Sequence, residues 1–376
     1  MIRDLSVVRL DQPTADLASA LRTGVLREGA HHDLIDRAHA HGVLPLLAWR
    51  CRAGRAQLPG DLQGELRAAI ARAVAWEAWT VAELLTLLDA VRAAGVAAIL
   101  IKGAALARQV YREPWLRPHG DIDLLVRYAS LPSLTEALLA LGYIQEATID
   151  GIHVMQQAHF SRTDGQGVQY AVDVHWRIAN RQAFAHALDF DELRAEALRI
   201  PSLGGALAPC AVHALLLALV HRAAHHYDNH RLIWLYDIHL LAGQLDAHDW
   251  ERFVALAVQR RLAAVALRGL ELTEEAFGAS WPRPPYDRLA AAAQRNGSAA
   301  FLDGMHREFD VLVADLRALP DIRSRATLLR EHLFPSRTYM AARYQTSSRW
   351  ALPWLYARRI IAGAPRWLKR FVIHDS

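Results

Sequence analysis

Cysteine and lysine are nearly missing from this 376-residue chain. Its two cysteines, Cys51 and Cys210, exclude a disulfide framework and leave no set of thiolates for a structural metal site. Long hydrophobic runs are missing too: the longest apolar stretches, such as 96–101 and 214–220, are far too short to span a bilayer. The opening residues, MIRDLSVVRLDQP, carry acids where a secretory signal needs basic charge followed by an apolar core. No low-complexity tract occurs, and 53% hydrophobic residues is too much for a disordered chain. These absences predict a soluble, cytoplasmic protein with enough chain for one large domain or two to three small ones.

The scarcity of lysine sharpens the charge pattern. Of 43 basic residues only Lys102 and Lys369 are lysines. Beside so much alanine this reads as a GC-rich coding bias, under which a surviving lysine is either a leftover or a retained function. The charge is also uneven. Residues 323–376 carry a net +9, with Glu331 and Asp375 their only acids, and the rest of the chain carries −5. In this tail Trp350, Trp354, Tyr356, Trp367 and Phe371 are interleaved with Arg349, Arg358, Arg359, Arg366, Lys369 and Arg370. Such a segment can contact nucleic acid, lie on an anionic membrane surface, or pack on the body with its arginines in water. Pro353 and Pro365, twelve apart, argue against one continuous amphipathic helix. The expectation is therefore a packed tail with buried aromatics, its arginines flanking the cleft, and peripheral membrane contact is not favoured.

The patterning divides the chain in three. Residues 13–95 read as helical, most clearly 61–94, where apolar positions recur at three and four and Gly95 supplies a stop. Short β-leaning runs follow at 96–101 and 121–126, with helices at 103–111 and 131–141. Two further strands, 152–161 and 168–176, flank the turn-rich Arg162-Thr-Asp-Gly-Gln-Gly. Beyond Pro201 the chain is helical again, at 210–225, 231–242 and 250–262. The predicted fold class is α+β and mostly helical. A small mixed sheet at 96–200 is flanked by helical regions at 1–95 and 201–376, the last ending in the basic tail.

The residues that carry chemistry lie in and beside these strands. Asp121 and Asp123 are two apart in a strand and share a face. Two like charges held together become tolerable around a divalent cation, and carboxylate oxygens suit Mg²⁺ or Mn²⁺. Asp173 would add a third carboxylate if its strand lay beside the first, which is what a two-metal phosphoryl-transfer site requires. Upstream, a strand ending at Lys102-Gly103 and turning straight into a helix offers backbone N–H groups to a phosphate. Gly103 would let the backbone approach closely, Lys102 would add a point charge, and Arg117 would clamp a phosphate with two prongs.

These runs, IKGAALARQVY, LRPHGDIDLLV and VDVHW, resemble the bacterial uncharacterised nucleotidyltransferase family, within the DNA polymerase β-like superfamily. The likeness extends to Arg231-Leu-Ile-Trp-Leu-Tyr-Asp237, and to Leu333-Phe-Pro-Ser and Arg343-Tyr344. It implies a Mg²⁺-dependent enzyme that moves a nucleoside monophosphate from an NTP, such as ATP, to an acceptor and releases pyrophosphate. A small molecule, peptide or protein acceptor is favoured over nucleic acid. Carried over by position, Asp121, Asp123 and Asp173 are the metal ligands and catalytic carboxylates. Lys102, Gly103, Ala104 and Arg117 bind the nucleotide. Two departures stand out: Ala104 replaces a serine common in the superfamily, and the spacing from Gly103 to Asp121 is long. They support the alternative of a non-catalytic nucleotide- or partner-binding protein that keeps the fold.

Histidine is abundant, with 19 residues, and six of them, between His213 and His239, fall in one helical region. His221 with His225, and His226 with His230, have the i, i+4 spacing of helical zinc ligands, but no HExxH accompanies them. Solvated or core-packed histidines are the simpler reading. His175 shares the face of Asp173 and so belongs beside the metals or packed against Trp176. Arg231 and Asp237 face either the cleft or ordinary polar contacts between helices.

Overall fold

The computed structural model describes residues 9–26, 33–53, 60–147, 149, 151–226, 228–294, 297–302, 308–346 and 348–368. Lys369, Arg370 and Phe371 of the basic tail lie outside them. The fold is mostly helical α+β, built around one mixed seven-stranded sheet. Its strands are β1 (Ala98–Ile101), β2 (Ile122–Val126), β3 (Ile144–Gln145), β4 (Gln157–Thr163), β5 (Gln169–His175), β6 (Leu198–Ile200) and β7 (Ala206–Ala208). They lie in the order β3-β4-β5-β2-β1-β7-β6. The central β2 runs antiparallel to β1 and parallel to β5. The short β6 and β7 extend the sheet to Ala208, because β7 pairs parallel with β1 through Ile99 and Leu207.

Alternation along these strands sorts side chains into two cores. Ile122, Leu124 and Val126 of β2 and Val172 and Val174 of β5 point to one face, against Leu134, Leu138 and Tyr143. The opposite face carries Asp123 and Leu125, with Leu125 joining a larger helical core. That larger core takes Leu17, Leu21 and Leu47 from the N-terminal helices and Leu219, Leu235, Phe253 and Leu270 from the later ones. The 34-residue helix Gly60–Ala93 ties the two together. Its first turns bury Leu62, Leu66 and Ala69 in the large core, and its last turns bury Leu84, Leu87, Leu88 and Val91 under the sheet. The apolar period in this helix is therefore read by two different partners.

Two segments depart from the expected pattern. The strand expected from residue 152 begins at Gln157. Glu331 explains the delay: its carboxylate accepts the backbone N–H groups of Ile152, His153 and Val154 at 2.9–3.1 Å, which draws this stretch off the sheet. In the tail, Leu352–Leu368 is one helix despite its two prolines. Pro353 stands in the first turn, where its missing N–H has no helical partner to lose, and Pro365 forfeits a single bond near the end. The helix packs through Leu355, which is buried, and through the Tyr356 hydroxyl, which donates to the Pro335 carbonyl at 2.7 Å. Trp350, just before this helix, is 93% exposed, and Trp354, within it, 62%.

Candidate active site

Register brings the carboxylates together. Asp123 of β2 pairs with Asp173 of the parallel β5, and Leu125 with His175, so the two acids lie side by side on one face. Asp121 precedes β2 by one residue and stays on that side, partly buried. Oxygen and nitrogen donors of Asp123, Asp173 and His175 all fall within 4.8 Å of one another. Asp121 faces the same charges. Burial first, then the neighbouring Asp123 and Asp173, push its carboxyl up to about 6. Two carboxylates and an imidazole thus converge, with Asp121 near enough to feel both charges, and carboxylate oxygens so placed suit a hard divalent cation.

Lys102 occupies the corner between β1 and the helix Lys102–Gln109, with a left-handed φ of 56°. A non-glycine residue held there costs about 1 kcal/mol. The turn aims its ammonium back across the sheet, where Nζ lies 2.6 Å from Asp123 Oδ1 and 3.2 Å from His175 Nε2. His175 Nε2 is itself 2.8 Å from the same oxygen, completing a buried triad. Burial alone would raise the Asp123 carboxyl, but Lys102 and His175 outweigh it and hold the group ionised far below the usual range. On the other side, His159 Nδ1 lies 2.6 Å from Asp173 Oδ1 and Gln157 Nε2 donates to Oδ2 at 3.2 Å. The strand register His159↔Asp173 explains this contact.

Gly103 is required by packing. A Cβ there would stand 2.8 Å from the Cβ of His119, closer than real Cβ atoms come. Ala104 turns the other way, buried 1% exposed in the core beneath the sheet, so the place of the superfamily's serine faces no cavity. Arg117 is already engaged. Nε and Nη2 grip Asp237 at 2.8 Å each, and Nη1 donates to the Pro118 carbonyl at 2.8 Å. Tyr111 donates to Asp237 Oδ1 at 2.7 Å. Burial disfavours the Arg117 charge, but Asp237 more than compensates, so the guanidinium is held above its usual range. The clamp that the sequence places on a phosphate is closed on a carboxylate, joining the loop before β2 to the helix Leu232–Ala242.

Above the carboxylates opens a cavity of about 530 Å³, lined by Lys102, Gly103, Arg117, His119, Asp121 and Asp123, and closed by Arg72, Trp76, His221, His226, Arg231 and Trp234. Its size suits a small ligand. Arg231 reaches it with its guanidinium 5.4 Å from the Trp234 ring centre. The His226 ring stacks on Trp234 at 3.9 Å, and His226 Nε2 lies 3.1 Å from His221 Nε2. Burial lowers His119 and His226 to about 4 and His225 to about 3, so these rings are neutral at pH 7. Of the helical i, i+4 histidines, His221 and His226 thus form an aromatic wall of the cavity with Trp234, and the His225 ring lies behind them at 5.3 Å from that of His221. Among the described residues they are not one of the groups whose ligand atoms converge as a metal site requires. Arg72, Trp76 and His119 escaped sequence reading, because nothing in a long amphipathic helix or a loop marks which polar residue faces a distant sheet.

No curated protein matches the chain. The family model described as uncharacterised nucleotidyltransferase matches residues 28–278, which include every residue of the carboxylate cluster and the cavity but end before the resembling segments at 333–344. On that match, which spans well over half of the sequence, the chain belongs to the uncharacterised nucleotidyltransferase family.

Proposed function

We propose that the chain transfers a nucleoside monophosphate from an NTP to an acceptor hydroxyl, with release of pyrophosphate and with Mg²⁺ as its cofactor. The observation that supports this reading is that Asp121 and Asp123 line a cavity together with Lys102 and Gly103, with Asp173 beside Asp123 on the neighbouring strand. Asp121, Asp123 and Asp173 would hold Mg²⁺, which when bound neutralises the triphosphate and lowers the pKa of the attacking hydroxyl. Lys102, paired with Asp123, would supply a positive charge for the phosphates at the start of the helix Lys102–Gln109. Asp173, oriented by His159 and Gln157, would take the acceptor proton as the acceptor oxygen bonds to the α-phosphorus and the bond to the β-phosphate oxygen breaks. The Trp234–His226 stack and Trp76 offer flat faces for the base. Arg117, spent on Asp237, would act by fixing the loop before β2. Its engagement and the buried Ala104 are what favour the second reading, a binding protein without turnover.

Incubation with α-labelled NTPs, Mg²⁺ and a pool of small hydroxyl- and peptide-bearing acceptors tests the reaction class. Transfer of label with stoichiometric pyrophosphate, absent in Asp121→Asn, is the expected outcome. Metal-dependent NTP binding with no release from any NTP would favour the second reading.

A further inference from the structure

The helix Leu352–Leu368 turns an unusual face to water. Leu355 and Tyr356 face inward, and Arg359 Nη2 reaches the His332 carbonyl at 3.5 Å. The outward positions up to residue 361 are Pro353, Trp354, Ala357, Arg358, Ile360 and Ile361. Trp350 is 93% exposed, Trp354 62%, Ile361 70% and the neighbouring Phe334 54%. A soluble surface scatters single apolar residues, but two tryptophans, an isoleucine and a phenylalanine around one short helix form a patch that marks an interaction. Charge names the partner. Residues 323–376 carry +9, and one of their two acids, Glu331, is turned inward onto the backbone N–H groups of residues 152–154. Arg358 extends over the ring of Trp354 at 5.5 Å and that of Tyr344 at 5.9 Å, placing a cation beside exposed aromatic surface. Tryptophan with arginine on an amphipathic helix is the composition of the bilayer interface, where rings sit at the headgroup level and cations meet lipid phosphates.

We propose that this C-terminal face docks the protein reversibly on an anionic lipid surface, with Trp350, Trp354 and Ile361 at the boundary between headgroups and acyl chains. The contact is peripheral, since no helix among the described residues is long and apolar enough to cross a membrane. A lipid surface fits better than a nucleic acid strand. Single strands are bound in grooves that track the backbone, whereas this is the outer side of a surface helix with aliphatic residues among its aromatics. No residue of this face lines the cavity, whose last lining residue is Trp234. Docking would leave the nucleotide site open to solutes and bring it near acceptors held at a membrane.

The full-length protein should co-sediment with phosphatidylcholine vesicles containing phosphatidylglycerol, and poorly with phosphatidylcholine alone. Raising salt should release it. Arg343→Gln and Arg358→Gln should each weaken low-salt binding by about fivefold. Trp350→Ser with Trp354→Ser should weaken it at low and high salt alike, without lowering the melting temperature, because both side chains are exposed. No co-sedimentation with the anionic vesicles at low salt would overturn the proposal. So would light scattering that shows a dimer without lipid that the double tryptophan variant dissolves, since the face would then bind a second copy. Binding of single-stranded RNA that those variants abolish, with vesicle binding unchanged, would overturn it in favour of nucleic acid.

Discussion

Asp121 and Asp123 are separated by one residue, yet their surroundings give them different work. Asp123 is fully engaged by Lys102 and His175, whereas Asp121 is a half-buried acid among acids with its carboxyl pushed up to about 6. Exchange to asparagine should therefore separate them. Asp121→Asn removes a repulsion and should leave the melting temperature unchanged or slightly raised while it weakens metal-dependent nucleotide binding at least tenfold. Asp123→Asn strands the Lys102 ammonium and should cost about 3 kcal/mol in a denaturant titration as well. The proton on Asp121 also competes with a metal. The group is charged mainly above about 6, so Mn²⁺ affinity measured by calorimetry should fall as pH drops from 7 to 5, and this dependence should be shallower in Asp121→Asn, leaving the part due to His159 on Asp173. The D-x-D pairing was legible in the sequence because a strand alternates with period two. The Lys102 bridge was not, since it depends on a positive φ at a corner that only the folded chain displays.

At the scale of elements, the site is an agreement between the sheet and the helices packed on it. The corner Lys102-Gly103 lies against His119, and Gly103→Ala would drive a Cβ to 2.8 Å from the His119 Cβ. Overpacking of this kind should cost about 1–3 kcal/mol and displace the loop that carries Asp121, so stability and nucleotide affinity should fall together. Asp237→Ala tests the second joint. It leaves the Arg117 guanidinium and the Tyr111 hydroxyl buried without their acceptor and should destabilise by about 3–5 kcal/mol, measured by chemical denaturation. The main strands and helices were readable from apolar period and glycine stops. The two-residue β3 and three-residue β6 and β7 were not, because so few positions carry no periodic signal and tertiary pairing alone makes them strands. Arg117 shows the same limit for a side chain. Its residue type announces bidentate binding, but the choice between a phosphate and Asp237, 120 positions away, is made by packing.

Across the whole molecule, the histidine wall makes stability depend on pH. His225 and His226 titrate near 3 and 4 in the fold and near 6.5 in the unfolded chain, so the unfolded state binds more protons below 6.5. Stability is fully present above pH 6.5 and lost as pH falls toward 4, by up to about 2 kcal/mol at pH 5 for His225 and by less for the more exposed His226, whose charge water screens. Melting temperatures should accordingly drop between pH 7.5 and 5, and less so in a variant with His225→Asn and His226→Asn. The sequence showed that a helical region was rich in histidine, but not that it closes the roof over a carboxylate cluster some fifty to one hundred positions earlier. The basic tail was visible as charge, and its exposed aromatics became visible only when both prolines proved compatible with one helix. Central to the proposed activity is that the acids at β2 and β5 and the cavity beside them form a single metal and nucleotide site. Calorimetric titration of an NTP into the wild-type protein and into Asp121→Asn, with and without Mg²⁺, tests it directly. The account predicts one binding event per chain that requires Mg²⁺ and is weakened at least tenfold by the substitution. Equal binding with and without the metal, or by both proteins, would contradict it.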